Sequence, residues 1–110
     1  MNLGAPLHVV AHDFGAWCVF SWALLFPNDF KSLTLIEAGI PGVTLLNEKQ
    51  FGGKLPIRLL AVGGQYSIPT MGESLQPYFK DVRSIVIPDS GHFVPEEQPE
   101  ALAKALLAFL

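Results

Sequence analysis

Cysteine is almost missing from this 110-residue chain: Cys18 stands alone, which excludes an internal disulfide framework. No cluster of Cys and His has the spacing of a structural zinc site, and no metal or cofactor is expected. Charge is scarce too, at 15% of residues. Seven Lys and Arg against ten Asp and Glu leave a formal net charge of −3. Without a basic block to attract a phosphate backbone, nucleic acid is not an expected partner. The longest apolar run, Phe14 to Phe26, is interrupted by Ser21 and covers about 13 positions, where a membrane span needs about 20. The amino terminus, Met1 to Pro6, lacks the basic segment of a secretory signal. The expectation is a cytoplasmic chain without a membrane partner. Repeats, low-complexity tracts and runs of like charge are also missing.

What is present is apolar: half of the residues are hydrophobic, so the chain demands a packed interior or a partner and does not match the composition of disorder. Its length fits a single domain over 1–110, one that buries roughly two-thirds of the surface its unfolded chain would expose. Short apolar segments alternate with glycine-bearing turns and longer helical segments. Leu7–Ala11 reads as a first strand, followed by a helix reaching about Phe26, where Pro27 and Asn28 stop it. Ser32–Glu37, Ile57–Val62 and Val82–Ile87 read as further strands, the middle one ending at Gly63-Gly64. Met71–Phe79 reads as a short helix, and Val43–Lys54 as a polar connection. Glu96–Leu110 closes the chain as a helix with Leu102, Leu106, Phe109 and Leu110 on one face. Strands alternating with helices predict an α/β fold: a parallel sheet of about four strands with flanking helices.

In such sheets the working residues gather at the carboxyl ends of the strands. Asp13, Glu37 and His92 fall there on three separate strands. Asp13 could simply cap the helix that follows it. Ala11 and Gly15, however, flank it at minus two and plus two, the small-x-nucleophile-x-small spacing of a nucleophile elbow, where only small neighbours let strand and helix approach. His92, after Gly91, is either a polar loop residue or an imidazole for acid–base chemistry near neutral pH. Glu37 is either a solvated charge at a strand end or the carboxylate that orients His92. His8, within a strand, is a weaker candidate. So is His12, an elbow neighbour expected to point away from the nucleophile.

Three blocks, Val9–Ala16, Leu35–Gly42 and Ile87–Phe93, resemble the epoxide hydrolases of the α/β-hydrolase superfamily. The nearest subgroup is the one that includes the cystic-fibrosis-channel inhibitory factor. The segment from Pro56 to Leu110, with Ala61-Val62-Gly63-Gly64 and Pro95-Glu96-Glu97-Gln98-Pro99, resembles that family's carboxyl-terminal part almost throughout. The resemblance implies a two-step hydrolysis. Asp13 attacks an epoxide carbon to form an alkyl ester, and His92, held by Glu37, activates water against the ester carbonyl. The backbone N–H of Phe14 supplies part of the oxyanion hole. Dehalogenases share the first attack, but Phe14 stands where many haloalkane dehalogenases carry a halide-binding Trp. An esterase reading lacks the Ser or Cys it needs at the elbow.

The resemblance covers strands five to eight of the family's eight. The earlier strands, with the His-Gly-x-Pro loop that supplies another oxyanion donor, have no counterpart here. The cap domain is replaced by the Val43–Lys54 link. In the family that cap contributes two tyrosines that protonate the epoxide oxygen, and Tyr66 and Tyr78 do not match their positions. Weak or no epoxide hydrolysis is therefore expected of this chain alone. The first strand would be central in the family fold and becomes an edge here, which recruits another strand. The following helix carries Trp17, Val19, Phe20, Trp22, Leu24, Leu25 and Phe26, apolar around most of its circumference. A homodimer through the first strand and this helix is expected. The alternative to an enzyme with a small-molecule substrate is thus a catalytically silent, self-associating domain.

Overall fold

The computed structural model describes residues 6–39 and 54–110. Strand β1 (Leu7–His12) runs into helix α1 (Phe14–Leu25), and a 3-10 turn (Pro27–Asp29) leads to β2 (Phe30–Ile36). Then come β3 (Leu55–Gly64), α2 (Met71–Leu75), a 3-10 turn (Gln76–Tyr78), β4 (Phe79–Ile87), α3 (Val94–Glu97) and α4 (Pro99–Phe109). Among the described residues the strands form one sheet in the order β1-β2-β3-β4. Every neighbouring pair is parallel. The expected α/β architecture is what forms.

Side chains alternate across a strand, so each strand feeds both faces of the sheet. On one face Leu33, Leu35, Leu59 and Ala61 pack with Ala16, Phe20 and Ala23 of α1 and with Met71 and Leu75 of α2. On the other, Ile36, Leu60, Val62 and Ile87 pack with Val94 of α3 and with Leu102 and Phe109 of α4. A sheet apolar on both faces needs helices on both, and parallel connections put them there. No helix among the described residues is long and apolar enough to cross a membrane.

Several boundaries differ from the sequence reading, for local reasons. Strand β3 does not stop at Val62 but runs through Gly63 and Gly64, which pair with Val86 and Ile87 of β4. Strand β4 starts at Phe79, and the expected helix Met71–Phe79 is an α-helix only to Leu75. Pro77 has no N–H to donate back along an α-helix, and the chain tightens into a 3-10 turn. The expected Glu96–Leu110 helix is two helices broken at Gln98, whose φ of −138° and ψ of 64° are not helical. Its successor Pro99 disfavours the helical region at the preceding residue. Leu102 and Phe109 are buried as expected, but Leu110 is 52% exposed. At about 100° per residue it lies roughly 80° around from Leu102, off the edge of the apolar stripe. The Val43–Lys54 connection lies outside the described residues except for Lys54.

Candidate active site

The turn between β1 and α1 carries Asp13 at φ 57° and ψ −126°, a left-handed backbone that is costly for a residue with a Cβ. Asp13 occupies the N-cap position, yet its side chain makes no capping hydrogen bond. The capping role fails, and the carboxylate is directed elsewhere. Ala16 is fully buried where α1 meets the sheet. Gly15 is exposed with open space where a Cβ would be, so the expected need for a small residue at plus two is not what the packing shows. Phe14 opens α1, and its N–H belongs to the first turn, whose amides have no intrahelical acceptor.

Glu37, immediately after β2, also has a positive φ, 48°. Its side chain is completely buried, which excludes a solvated strand-end charge. Its Oε2 accepts the Gly64 N–H at 2.7 Å and the Ile68 N–H at 2.8 Å. Burial raises its pKa. Hydrogen bonds from the Ser67 side chain, Gly64, Ile68 and His92 outweigh that and hold the carboxyl below its ordinary value of 4.5. Glu37 is therefore a fixed anion at neutral pH.

His92 lies between the two acids. Its Nδ1 is 3.2 Å from Glu37 Oε1, and its Nε2 is 3.2 Å from Asp13 Oδ1. A carboxylate can only accept, so the Glu37 contact places a proton on Nδ1 and leaves Nε2 as the nitrogen that exchanges a proton with the site. The three residues picked out at three strand ends meet at one point. The carboxylate of Asp13 and the ring of His92 remain partly exposed, at 38% and 32%. Asp13 borders a cavity of about 320 Å³ also lined by His12, Phe14, Phe93 and Glu96.

His12 does not point away. As the last residue of β1 it projects to the face opposite Ala11, which packs in the α1 core, and this side holds the His92 loop. Its Nε2 donates to the His92 carbonyl at 3.0 Å, and the two rings lie 5.1 Å apart. His8 is remote in role, with its Nδ1 2.6 Å from Ser32 Oγ. The tyrosines stay outside the site as well. The Tyr66 hydroxyl donates to Asp89 at 3.1 Å, and that bond and charge push its pKa up, while Tyr78 is buried in the core. Sequence reasoning missed the donors that secure Glu37. Gly64 is the one with a signal, since a glycine pair ending an apolar strand marks a close backbone approach. A Cβ on Gly64 would overlap the Gly91 carbonyl oxygen.

No protein-family model and no curated protein sequence matches the chain. Solved structures do. The chain is similar to Cfl2 from Burkholderia cenocepacia at 25% identity and a TM-score of 0.83, over 96% of this chain and 65% of that one. It is similar to a predicted CIB-like hydrolase from Thermoplasma acidophilum at 20% identity and 0.81, over 98% of this chain and 52% of that one. The epoxide hydrolase CorEH aligns at 15% identity and 0.79, over 98% of this chain and 69% of its own. The chain thus spans less than two-thirds of the first two of these structures. A four-stranded parallel sheet with helices on both faces, aligned over nearly all of this chain with these structures, gives it the α/β-hydrolase fold.

Proposed function

We propose that this chain carries the groups to hydrolyse a small epoxide, at best weakly on its own, through a covalent ester on Asp13. The observation that carries the reading is the imidazole of His92 at 3.2 Å from both Asp13 and Glu37. Asp13 needs no base to become nucleophilic: one carboxylate oxygen attacks an epoxide carbon, the ring C–O bond breaks, and the resulting alkoxide takes a proton from solvent. Water then attacks the ester carbonyl carbon of Asp13 while its proton passes to His92 Nε2, with Glu37 stabilising the charged ring. The proposed donor to the developing oxyanion is the Phe14 N–H, in the first turn of α1. Collapse releases the diol with the proton from His92 and leaves Asp13 as the acid, which returns its proton to solvent and is again the carboxylate.

Epoxide is favoured over a halide-bearing substrate by the tryptophans. The Trp17 indole donates to the Gly39 carbonyl at 2.8 Å and the Trp22 indole to Asp29 at 2.9 Å, so both indole N–H groups are already engaged. The test is intact-mass analysis of His92→Gln protein with an aromatic epoxide. An adduct of the epoxide mass is expected, lost in Asp13→Ala. Failure of any adduct to form, together with no turnover by the unaltered chain, would sink the enzyme reading.

The second reading, a catalytically silent domain that self-associates, is favoured by the edge position of β1, where one side of the strand has no partner among the described residues. Val10 is 46% exposed, α1 leaves Phe14 and Leu25 exposed, and Phe26 just beyond it is exposed too. A second copy related by a two-fold axis would pair the two β1 strands antiparallel and cover both helices. Sedimentation at micromolar concentration is expected to give a dimer. A monomer there removes this reading.

A further inference from the structure

The proposed base is carried by a stretch, 88–93, with no helix or strand of its own, so the ring stands where the backbone is held. Asp89 N–H goes to Gln65 Oε1, the Asp89 carbonyl accepts from Gln98, and the Ser90 carbonyl accepts from the Tyr66 N–H. These fasten the approach to His92. Two other side chains act on His92 itself. Glu97 accepts the Gly91 N–H on Oε1 at 2.9 Å and the Phe93 N–H on Oε2 at 3.1 Å, one carboxylate bracketing the residue between them. His12 donates Nε2–H to the His92 carbonyl at 3.0 Å, and a carbonyl can only accept, so the His12 tautomer is set. Its ring also lies edge-on to Phe93, with centroids 6.1 Å apart.

We propose that His12 and Glu97 are positioning residues for His92, fixing the peptide units around it so that Nε2 addresses Asp13. The proposal rests on the reading of Asp13 and His92 given above. Backbone rotations of about 10–20° are enough to take such a group out of productive geometry. A misplacement of about 1 Å can cost on the order of 100-fold in rate. Glu97 is exposed and His12 only partly buried, so neither is a large part of the core. Their effect is local to His92 and therefore to the second chemical step. Attack by Asp13 on the substrate does not need His92, and hydrolysis of the ester does.

The experiment is a single-turnover reaction with an aromatic epoxide, following formation and decay of the Asp13 ester by intact mass. His12→Phe keeps a ring but loses the donor, and Glu97→Gln loses one of the two acceptor oxygens. In both, ester formation is expected within about twofold of the unaltered chain, with decay slower by about tenfold. His12→Gln, which retains an N–H near the same place, is expected to recover most of the decay rate. Decay at the original rate in both variants overturns the proposal. Equal slowing of both steps does so as well, because it marks a general structural defect.

If no ester forms even in His92→Gln, the hydrolase reading fails and the positioning is judged without chemistry. The His92 Nδ1–H resonance, held by Glu37, is then expected to be lost in His12→Phe and to return in His12→Gln. Gly91 and Phe93 amide exchange is expected to quicken about tenfold in Glu97→Gln while β2 and β3 amides keep their protection. An unchanged ring signal and unchanged exchange overturn the positioning role on their own.

Discussion

Glu37 is the residue on which the arrangement turns, and its energetics are testable apart from catalysis. A carboxyl held below 4.5 in the fold binds its proton more weakly than in the unfolded chain, so its stabilisation is complete above that value. It is lost as pH falls below 4.5 through the depressed folded value. Denaturant melts of Glu37→Gln should therefore show less loss of stability below pH 4.5 than the unaltered chain. At neutral pH the same variant should be less stable by about 1–3 kcal/mol, since the buried donors on Gly64 and Ile68 lose an anionic acceptor. The covalent step has its own signature at Asp13. A single turnover in 18O-water should leave the heavy oxygen in Asp13 and not in the first diol, because the oxygen that departs with product is the aspartate's own. Peptide mass analysis reads this directly. Label in the first diol would mean that water attacked the epoxide itself.

At the scale of elements, the site depends on how closely the end of β3 meets the loop after β4. Gly64 lies against the Ser90 and Gly91 carbonyls while its N–H serves Glu37, so no side chain fits there. Gly64→Ala should lower stability by about 1–3 kcal/mol through overpacking. It should also pull His92 from Glu37 and so slow ester decay more than ester formation. A variant that is stable and retains both rates would show that the strand end gives way easily. Much of this was readable in the pattern of residues: Ala11 and Gly15 around Asp13 announced the tight bend, and acidic or imidazole side chains stood at three strand ends. Glu97 was legible only as part of a helical segment, because a carboxylate that reaches back to two amides leaves no periodic trace. His12 was misread because elbow spacing says nothing about which loop crosses the opposite face.

For the molecule as a whole, the β1 edge and the exposed apolar side chains of α1 are the surface on which the proposed dimer depends. Leu25 is 74% exposed and Val10 sits on the strand with no outer neighbour among the described residues. A charge at such an edge blocks strand addition. Val10→Lys should shift the proposed dimer towards monomer in sedimentation velocity by at least about tenfold in dissociation constant. Its thermal stability at low concentration should stay close to that of the unaltered chain. Persistence of the dimer would move the contact away from β1.

Alternation of apolar segments with glycine turns and helical runs was enough to dictate a parallel α/β sheet, because strand and helix periods are local properties of the chain. The nature of the reacting groups was equally local: an acid at a bend between small residues, and a histidine after a glycine. Their convergence was not. Whether Glu37 is a solvated charge or a buried anion depends on Gly64 and Ile68, which reach it from another strand and its following turn. Whether His92 meets both acids depends on how the loop after β4 folds back against the ends of β1 and β2. Contacts between residues distant in the chain are set by packing, and packing is decided by all of the elements together.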